Sequence, residues 1–396
     1  MNFFNKKINI AKVMRVISIY IPKYPLWFSK KSITKRQEKI IVTKIKQSFS
    51  SITEPQLSNI LQNISLSQDK KKILFVLTEH VRGSVDMIKS YTTINIIKTA
   101  TDLNHDNIFF NGDDLYYGDH SQFLLEFSKL KRVIETNKPD IVIFDGTFYY
   151  TDRINFEPQH INQLKTISHF SAIICVFDLY LGQPDRLTYW DIAADLFLWT
   201  NPDLSAPQYV NFKKKEKIII SPFTIWPKII IDTKKSNDGI DFYFDGGNTR
   251  DRKYFLKNVS KVIGLNSEIN LHARRAHETI STSEYHKKLS ISKLTFSNGY
   301  VNRKASIVTD RIAECALYKT VILHEDNNNL NYFVTPFKHY IPIRNKYEVI
   351  IYIQFFLKNH HYLKLIREAA YELHLSHYSG EKVFAAILTK LRETYN

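Results

Sequence analysis

From Lys70 onward, short apolar runs alternate with longer stretches whose apolar residues recur at helical spacing. "KKILFVLT" is a run of buried-strand type, and "SVDMIKSYTTINIIKTATDL" after it carries a helical pattern. "DNIFFNGD", "PDIVIFDG", "AIICVFDLY" and "LFLWTN" continue as strands, separated by helical segments at "SQFLLEFSKLKRVIETN", near 158–168 and near "WDIAA". A repeat of this kind demands a parallel sheet with helices on both faces, joined by right-handed crossovers.

The pattern breaks at "SPFTIWPKIIIDTKKSNDG", where Pro222, Pro227 and a polar run mark an interdomain connection. A second series then begins: strand "IDFYFDGG", helix "RDRKYFLKNVSKVIG", strand "SEINLHA", helix "SEYHKKLSI" and strand "SKLTFSNG". A helix over 308–317, strands at 320–324 and "FKHYIPI", and three helices over 346–395 complete it. The expected fold is α/β, two Rossmann-like domains facing a cleft, with a basic N-terminal helical extension. Its parts are an extension over 1–69, a first domain over 70–225 and a second over 226–396, whose last helices can pack back on the first. A length of 396 residues agrees, since a domain takes roughly 100 to 200.

Hydrophobic residues at 44% and charged residues at 24% are those of a folded globular chain, which excludes disorder as an overall description. Cys175 and Cys315 both sit in apolar segments, so neither a disulfide framework nor a thiolate metal site is indicated. No apolar run reaches the ~18 residues of a membrane span, and the start of the chain lacks the apolar core of a secretory signal. A cytoplasmic protein is expected, peripheral at the inner membrane face if its extension binds lipid.

The formal charge of +16 is local. Residues 1–50 hold 12 Lys plus Arg against the single Glu38, a net of +11, which leaves +5 for the other 346 residues. Phe3, Ile10, Met14, Ile17 and Ile21 share one helical stripe, and "YIPKYPLWFSKK" sets aromatics among lysines. That combination suits an anionic membrane surface. A helix packed on the body of the protein with a solvated basic face is the competing expectation. Nucleic acid is not expected as a partner, because no zinc-finger, RNP or basic-zipper pattern is present.

Parallel sheets bind ligands at the carboxyl ends of their strands, and four clusters fall there. In "DGGNTR", Gly246 and Gly247 let backbone amides approach an anion while Arg250 or Arg252 supplies charge. Arg274 and Arg275 directly follow "INLHA". Thr309, Asp310 and Arg311 open a helix, with Thr309 or Asp310 as its cap. "TEHVRGSVD" places Glu79, His80, Arg82 and Asp86 after the first strand, and Asp145 and Asp178 end two more. "NGDD", with Asp113 and Asp114, reads as a solvated turn.

Residues 284–390 carry "YHKKLSISKLTFSNG", "TDRIAECALYKTVILHE", "NYFV" and "YIQFFLKNHHYLKLIREAAYELHLSHYSGEKVFAAIL" in that order. This resembles the C-terminal half of GT-B glycosyltransferases of the group 1 type, in particular the branch resembling spore maturation protein CgeB. The resemblance implies transfer from a nucleotide-sugar donor to a glycan or lipid-linked acceptor, without a catalytic metal or cofactor, in cell-surface polysaccharide or glycoconjugate synthesis. It implies that Glu314 contacts the donor's ribose or sugar; by their positions, Gly246, Gly247, Arg250, Arg274, Arg275, Thr309, Asp310 and Arg311 are expected around the phosphates. His80 is the first choice for the base that takes the acceptor's proton, ahead of Asp86 and Glu79. The sequence departs from the pattern at Tyr318, where the family has glycine, and in the spacing of Glu314 and Glu325, eleven apart where E-x7-E gives eight. A sugar-nucleotide epimerase of the same fold and a non-catalytic nucleotide- or glycan-binding module are the alternatives. Dinucleotide redox chemistry is disfavoured, because G-x-G-x-x-G is missing after both first strands.

Overall fold

The computed structural model describes residues 33–51, 55, 70–80, 90–146, 156–176, 185–200, 203–221, 239–262, 264–272, 281–301 and 305–395. Helix α1 (Lys35–Ser50) precedes the first alternating series. That series runs β1 (Lys72–Leu77), α2 (Tyr91–Asp102), β2 (Asp106–Asn111), α3 (Asp113–Tyr117), α4 (His120–Asn137), β3 (Ile141–Asp145), α5 (Pro158–Lys165) and β4 (Ser171–Val176). It continues through α6 (Arg186–Asp191), β5 (Leu196–Trp199), α7 (Pro207–Asn211) and β6 (Ile218–Ile220). These strands form one sheet in the order β2-β1-β3-β4-β5-β6, every neighbouring pair parallel.

The second series runs β7 (Phe242–Gly247), α8 (Arg250–Leu256), β8 (Ser267–His272), α9 (Thr282–Ser290), β9 (Leu294–Ser297), β10 (Tyr300–Val301) and β11 (Ala305–Ser306). Then come α10 (Arg311–Leu317), β12 (Val321–Glu325), β13 (Ile341–Ile343), α11 (Lys346–Lys358), α12 (His360–Leu373), a π-turn (His374–Tyr378) and α13 (Gly380–Tyr395). The main strands give a parallel sheet ordered β13-β12-β9-β7-β8, while β10 and β11 make a small antiparallel hairpin. In both sheets the second strand added lies on one side of the first and the third on the other. That reversal opens a crevice between β1 and β3, and another between β7 and β9.

The strands are buried on both faces, as parallel strands under helices must be. Leu74, Val76, Phe144 and Trp199 pack outward under the helices of the first lobe, and Phe242, Phe296, Leu323 and Ile343 under those of the second. A third cluster joins the lobes: Ile73, Phe75 and Ile96 of the first pack in it with Leu289, Ile312 and Tyr243 of the second. Helix α13 supplies Val383, Phe384 and Ile387 to that cluster and lies against α2 and β5, so the end of the chain returns to the first lobe.

Local differences from the sequence reading have physical causes. Strand β6 was not expected, because three isoleucines after "KKKEK" are too short to show a period. The helix expected over 250–264 stops at Leu256 and is followed by a 3-10 turn at Val259–Lys261. Helix α10 starts at Arg311, later than expected. Helix α1 is fixed by a capping box between Thr34 and Gln37 and buries Ile41 and Ile45 on the second lobe beside Phe337 and Tyr352. Ser48 Oγ donates to the Pro336 carbonyl at 2.8 Å, and Lys44 Nζ lies 5.0 Å from the centre of the Phe337 ring. This part of the extension is therefore a packed helix with an exposed basic face; the stripe from Phe3 to Ile21 lies outside the described residues. Among the described residues no helix is long and apolar enough to cross a membrane.

Candidate active site

Asp203, in the loop after β5, fixes how the lobes meet. Its Oδ2 accepts from the Ser306 amide at 3.2 Å, and its Oδ1 from Asn329 Nδ2 at 2.7 Å. Asn329 Nδ2 also reaches Ser306 Oγ at 2.8 Å. Ser306 and Asn329 lie in β11 and in the loop after β12, beyond carboxyl ends of the second sheet. The carboxyl ends of both sheets therefore face one another, and the two crevices open toward the same space.

On the first lobe, β1 leads directly to Glu79 and His80. His80 Nδ1 stands 2.7 Å from Asp113 Oδ2, and the His80 amide donates to Asp113 Oδ1 at 3.2 Å. An ionised carboxylate can only accept, so Nδ1 carries a proton, and in the neutral ring it is Nε2 that holds the lone pair. The Asp113 amide donates to Asn111 Oδ1 at 2.9 Å, and Asn111 Nδ2 donates to Glu79 Oε2 at 3.1 Å. Glu79 thus braces the residue that aligns Asp113. Tyr116 tightens the same end of the sheet, donating from its hydroxyl to the Val76 carbonyl at 2.9 Å and accepting from the Asp145 amide at 3.0 Å. Asp113 corrects the sequence reading: it is buried at the start of α3, not a solvated turn residue. Composition alone could not show a partner 33 residues away. Asp145 ends β3 and is buried; Arg82, Asp86 and Asp178 lie outside the described residues.

On the second lobe, two arginines span the crevice between β7 and β9. Arg311 donates through Nη2 to the Asp245 carbonyl at 2.7 Å and through Nη1 to the Phe296 carbonyl at 3.2 Å, with its guanidinium 4.8 Å from the Phe244 ring centre. Arg252 donates through Nη1 to the Gly247 carbonyl at 2.9 Å and through Nε to Asn298 Oδ1 at 3.1 Å. A Cβ on Gly247 would come within 3.2 Å of Arg252 Nη1, and one on Gly246 within 3.3 Å, so the glycine pair makes room for this guanidinium. Arg252 therefore occupies the strand-end position, while Arg250 is exposed on the outer side of α8. His272, at the end of β8, holds both Asp245 carboxylate oxygens through Nε2 at 2.9 and 3.0 Å. The sequence reading passed over this pair.

Glu314 sits one turn into α10. Its Oε2 accepts from the Tyr285 hydroxyl at 2.8 Å, and its Oε1 is 3.9 Å from His286 Nε2. Burial pushes the Tyr285 phenol well above its ordinary pKa, so it stays protonated and donates. Thr309 does not cap α10; its hydroxyl bonds Ser297 Oγ at 2.9 Å, and Asp310, at the cap position, makes no side-chain cap bond. Gly299 packs so closely on the Glu325 carbonyl that a Cβ has no space, and its amide donates to Glu325 Oε2 at 3.1 Å. Glu325 is thus turned to the backbone of the loop after β9. Arg274 and Arg275 lie outside the described residues. Among the described residues no three His, Cys, Asp or Glu side chains converge as a metal site.

Residues 237–389 match the family model described as "Glycosyl transferase-like". No curated protein matches the sequence. Among solved structures, the chain is similar to a glycosyltransferase from Rickettsia africae ESF-5 (TM-score 0.55, 11% identity, covering 83% of this chain and 99% of that one). It is also similar to Anabaena Alr3699/HepE in complex with UDP and glucose (TM-score 0.50, 10% identity, 81% and 99%). A third is the sucrose-phosphate synthase of Thermosynechococcus elongatus (TM-score 0.50, 11% identity, 82% and 99%). The fold is GT-B: two parallel sheets with flanking helices, facing one another at their carboxyl ends.

Proposed function

We propose that this chain is a glycosyltransferase that moves a sugar from a nucleotide-sugar donor to a hydroxyl acceptor. The reading is carried by the His80–Asp113 pair at the carboxyl end of β1 and β2 in one lobe together with the Glu314 cluster in the other. The glycosyl transferase-like match covers the second lobe, and the complex of Anabaena HepE with UDP and glucose supports a nucleotide sugar as the donor class. The motif order over 284–390 supports the CgeB-like branch.

In the chemistry proposed, His80 Nε2 removes the acceptor hydroxyl's proton as its oxygen attacks the anomeric carbon. Asp113 holds the ring's orientation and stabilises the imidazolium through Nδ1–H. The bond from the anomeric carbon to the phosphate oxygen breaks, and the nucleotide leaves with the electron pair. Direct displacement of this kind inverts the anomeric centre. Glu314, presented by Tyr285, accepts from hydroxyls of the donor. The rim of the β7–β9 crevice, with Arg252, Gly246 and Gly247, bears the leaving group's charge, joined by Arg274 and Arg275, which come next in the sequence after β8. No metal is assigned a part in the proposed chemistry. The acceptor is a glycan or a lipid-linked glycan, as in cell-surface polysaccharide or glycoconjugate synthesis, and the protein works at the cytoplasmic side of the membrane.

Calorimetric titration with a panel of nucleotide sugars tests the donor site. The wild type is expected to bind at least one, and Glu314→Gln to bind it about tenfold more weakly, since a neutral hydrogen bond replaces a charge-assisted one at a cost of roughly 1–1.5 kcal/mol. Undiminished affinity of Glu314→Gln for every donor the wild type binds removes Glu314 from the site.

A further inference from the structure

Helix α8 and the edge strand β8 enclose an open groove of about 630 Å³, on the β8 side of β7, whereas the crevice lies on its β9 side. Arg250, Lys253 and Lys257 line it, spaced three and four residues apart so that they share one side of α8. All three are exposed, and none has a carboxylate partner among the described residues. Leu256, Ile269 and Leu271 supply apolar walls; the last two are alternate residues of β8 and so point to the same face of the sheet. Among the described residues no acidic side chain lines the groove. A ligand that satisfies both features carries an anionic head on an apolar body.

The surroundings specify its source. Helix α8 packs on α11, and α1 packs beside Tyr352 of α11, so the three helices form one layer over the same face of the second sheet. Apart from Arg252, which turns to the strand ends, they hold nine Lys and Arg against Glu38, Asp251 and Glu348, and Glu348 already accepts from the Arg344 amide at 2.7 Å. Lys35, Arg36, Lys39 and Lys46 of α1 are exposed, and Ile40 among them is 46% exposed. The described chain enters this layer at Ile33. Residues 1–32, directly before it, carry seven Lys plus Arg, no Asp or Glu, and the aromatics Tyr20, Tyr24, Trp27 and Phe28. Basic, aromatic and apolar residues in this proportion match the interface of an anionic bilayer.

We propose that the outer face of the α1–α11–α8 layer docks on a membrane and that the α8–β8 groove takes the phosphate headgroup of an anionic phospholipid. Lys253, Lys257 and Arg250 pair with the phosphate, and the first acyl carbons lie on Leu256, Ile269 and Leu271. The site differs from the sugar-transfer crevice and does not depend on its chemistry.

Sedimentation of the full chain with vesicles tests this at near-physiological salt. Vesicles of phosphatidylcholine containing phosphatidylglycerol are expected to bind the protein, and pure phosphatidylcholine vesicles to leave it in solution. Removing two basic residues at roughly fivefold each lowers the partition coefficient about 25-fold in the Lys253→Gln, Lys257→Gln double variant. Lys253→Glu with Lys257→Glu lowers it further. An unchanged melting temperature shows that either double variant is folded, and the two are read independently. Binding to phosphatidylglycerol vesicles that both double variants retain in full overturns the groove, as does equal binding to both vesicle types. Displacement by inorganic phosphate as effective as by short-chain phosphatidylglycerol would mark a soluble-anion site, and capture of an acidic peptide without vesicle binding a protein-docking surface; either also overturns the proposal.

Discussion

Asn329 Nδ2 donates to Asp203 Oδ1 at 2.7 Å and joins the two lobes through residues 126 apart in the chain. Both residues are buried, and the same carboxylate also accepts from the Ser205 and Ser306 amides. Contacts from both lobes thus converge on one side chain at the mouth of the space between the sheets.

Asp203→Ala strands the Asn329 amide and the Ser306 N–H at the junction, and unpaired buried donors cost about 1–3 kcal/mol each. The variant is expected to lose roughly 2–4 kcal/mol in urea unfolding. The isosteric Asp203→Asn keeps one acceptor and should lose less. Equal stability of Asp203→Ala and the wild type contradicts this junction.

Acid should weaken the fold well before most carboxylates titrate. Burial lowers the His324 pKa to about 4, and burial lowers that of His339 to about 3, with the nearby Lys338 acting in the same direction. His324 Nδ1 bonds the Glu325 carbonyl at 2.7 Å, and its Nε2 is buried without a partner. An unfolded histidine takes its proton near pH 6.5, so between that value and the folded one the unfolded state binds more protons. The stability is therefore complete above pH 6.5 and is lost as pH falls toward 4. At pH 5, His324 alone accounts for about 2 kcal/mol relative to neutral pH. Urea midpoints measured across this range should fall with pH; a flat profile from pH 7 to 5 contradicts the buried neutral state.

Much of the fold was legible because parallel strands carry continuous apolar runs. "KILFVL" became β1, "VILHE" became β12, and the two-lobed plan follows from their repetition. What escaped was either too short to show a period, as with Ile218–Ile220, or depended on contacts far apart in sequence. Asp113 looked like a turn residue because its partner His80 is 33 positions away, and Asp245 gave no hint of His272 27 positions on. Arg250 and Arg252 were indistinguishable in "NTRDR", since only the phase of α8 decides which one turns to the strand ends. Thr309 suggested a cap from its position alone, while packing gave it Ser297 instead.

The most direct test is the rate of nucleotide release from a bound nucleotide sugar, with acceptor, in wild type, His80→Ala and Asp113→Asn. Loss of a positioned base is expected to lower turnover about 10²- to 10⁴-fold in His80→Ala, with donor affinity within about twofold of wild type. Asp113→Asn, which frees the imidazole tautomer, should lower turnover in the same way. Wild-type turnover in His80→Ala at every pH would contradict the assignment of His80 as the base and, with it, the chemistry proposed for the cleft.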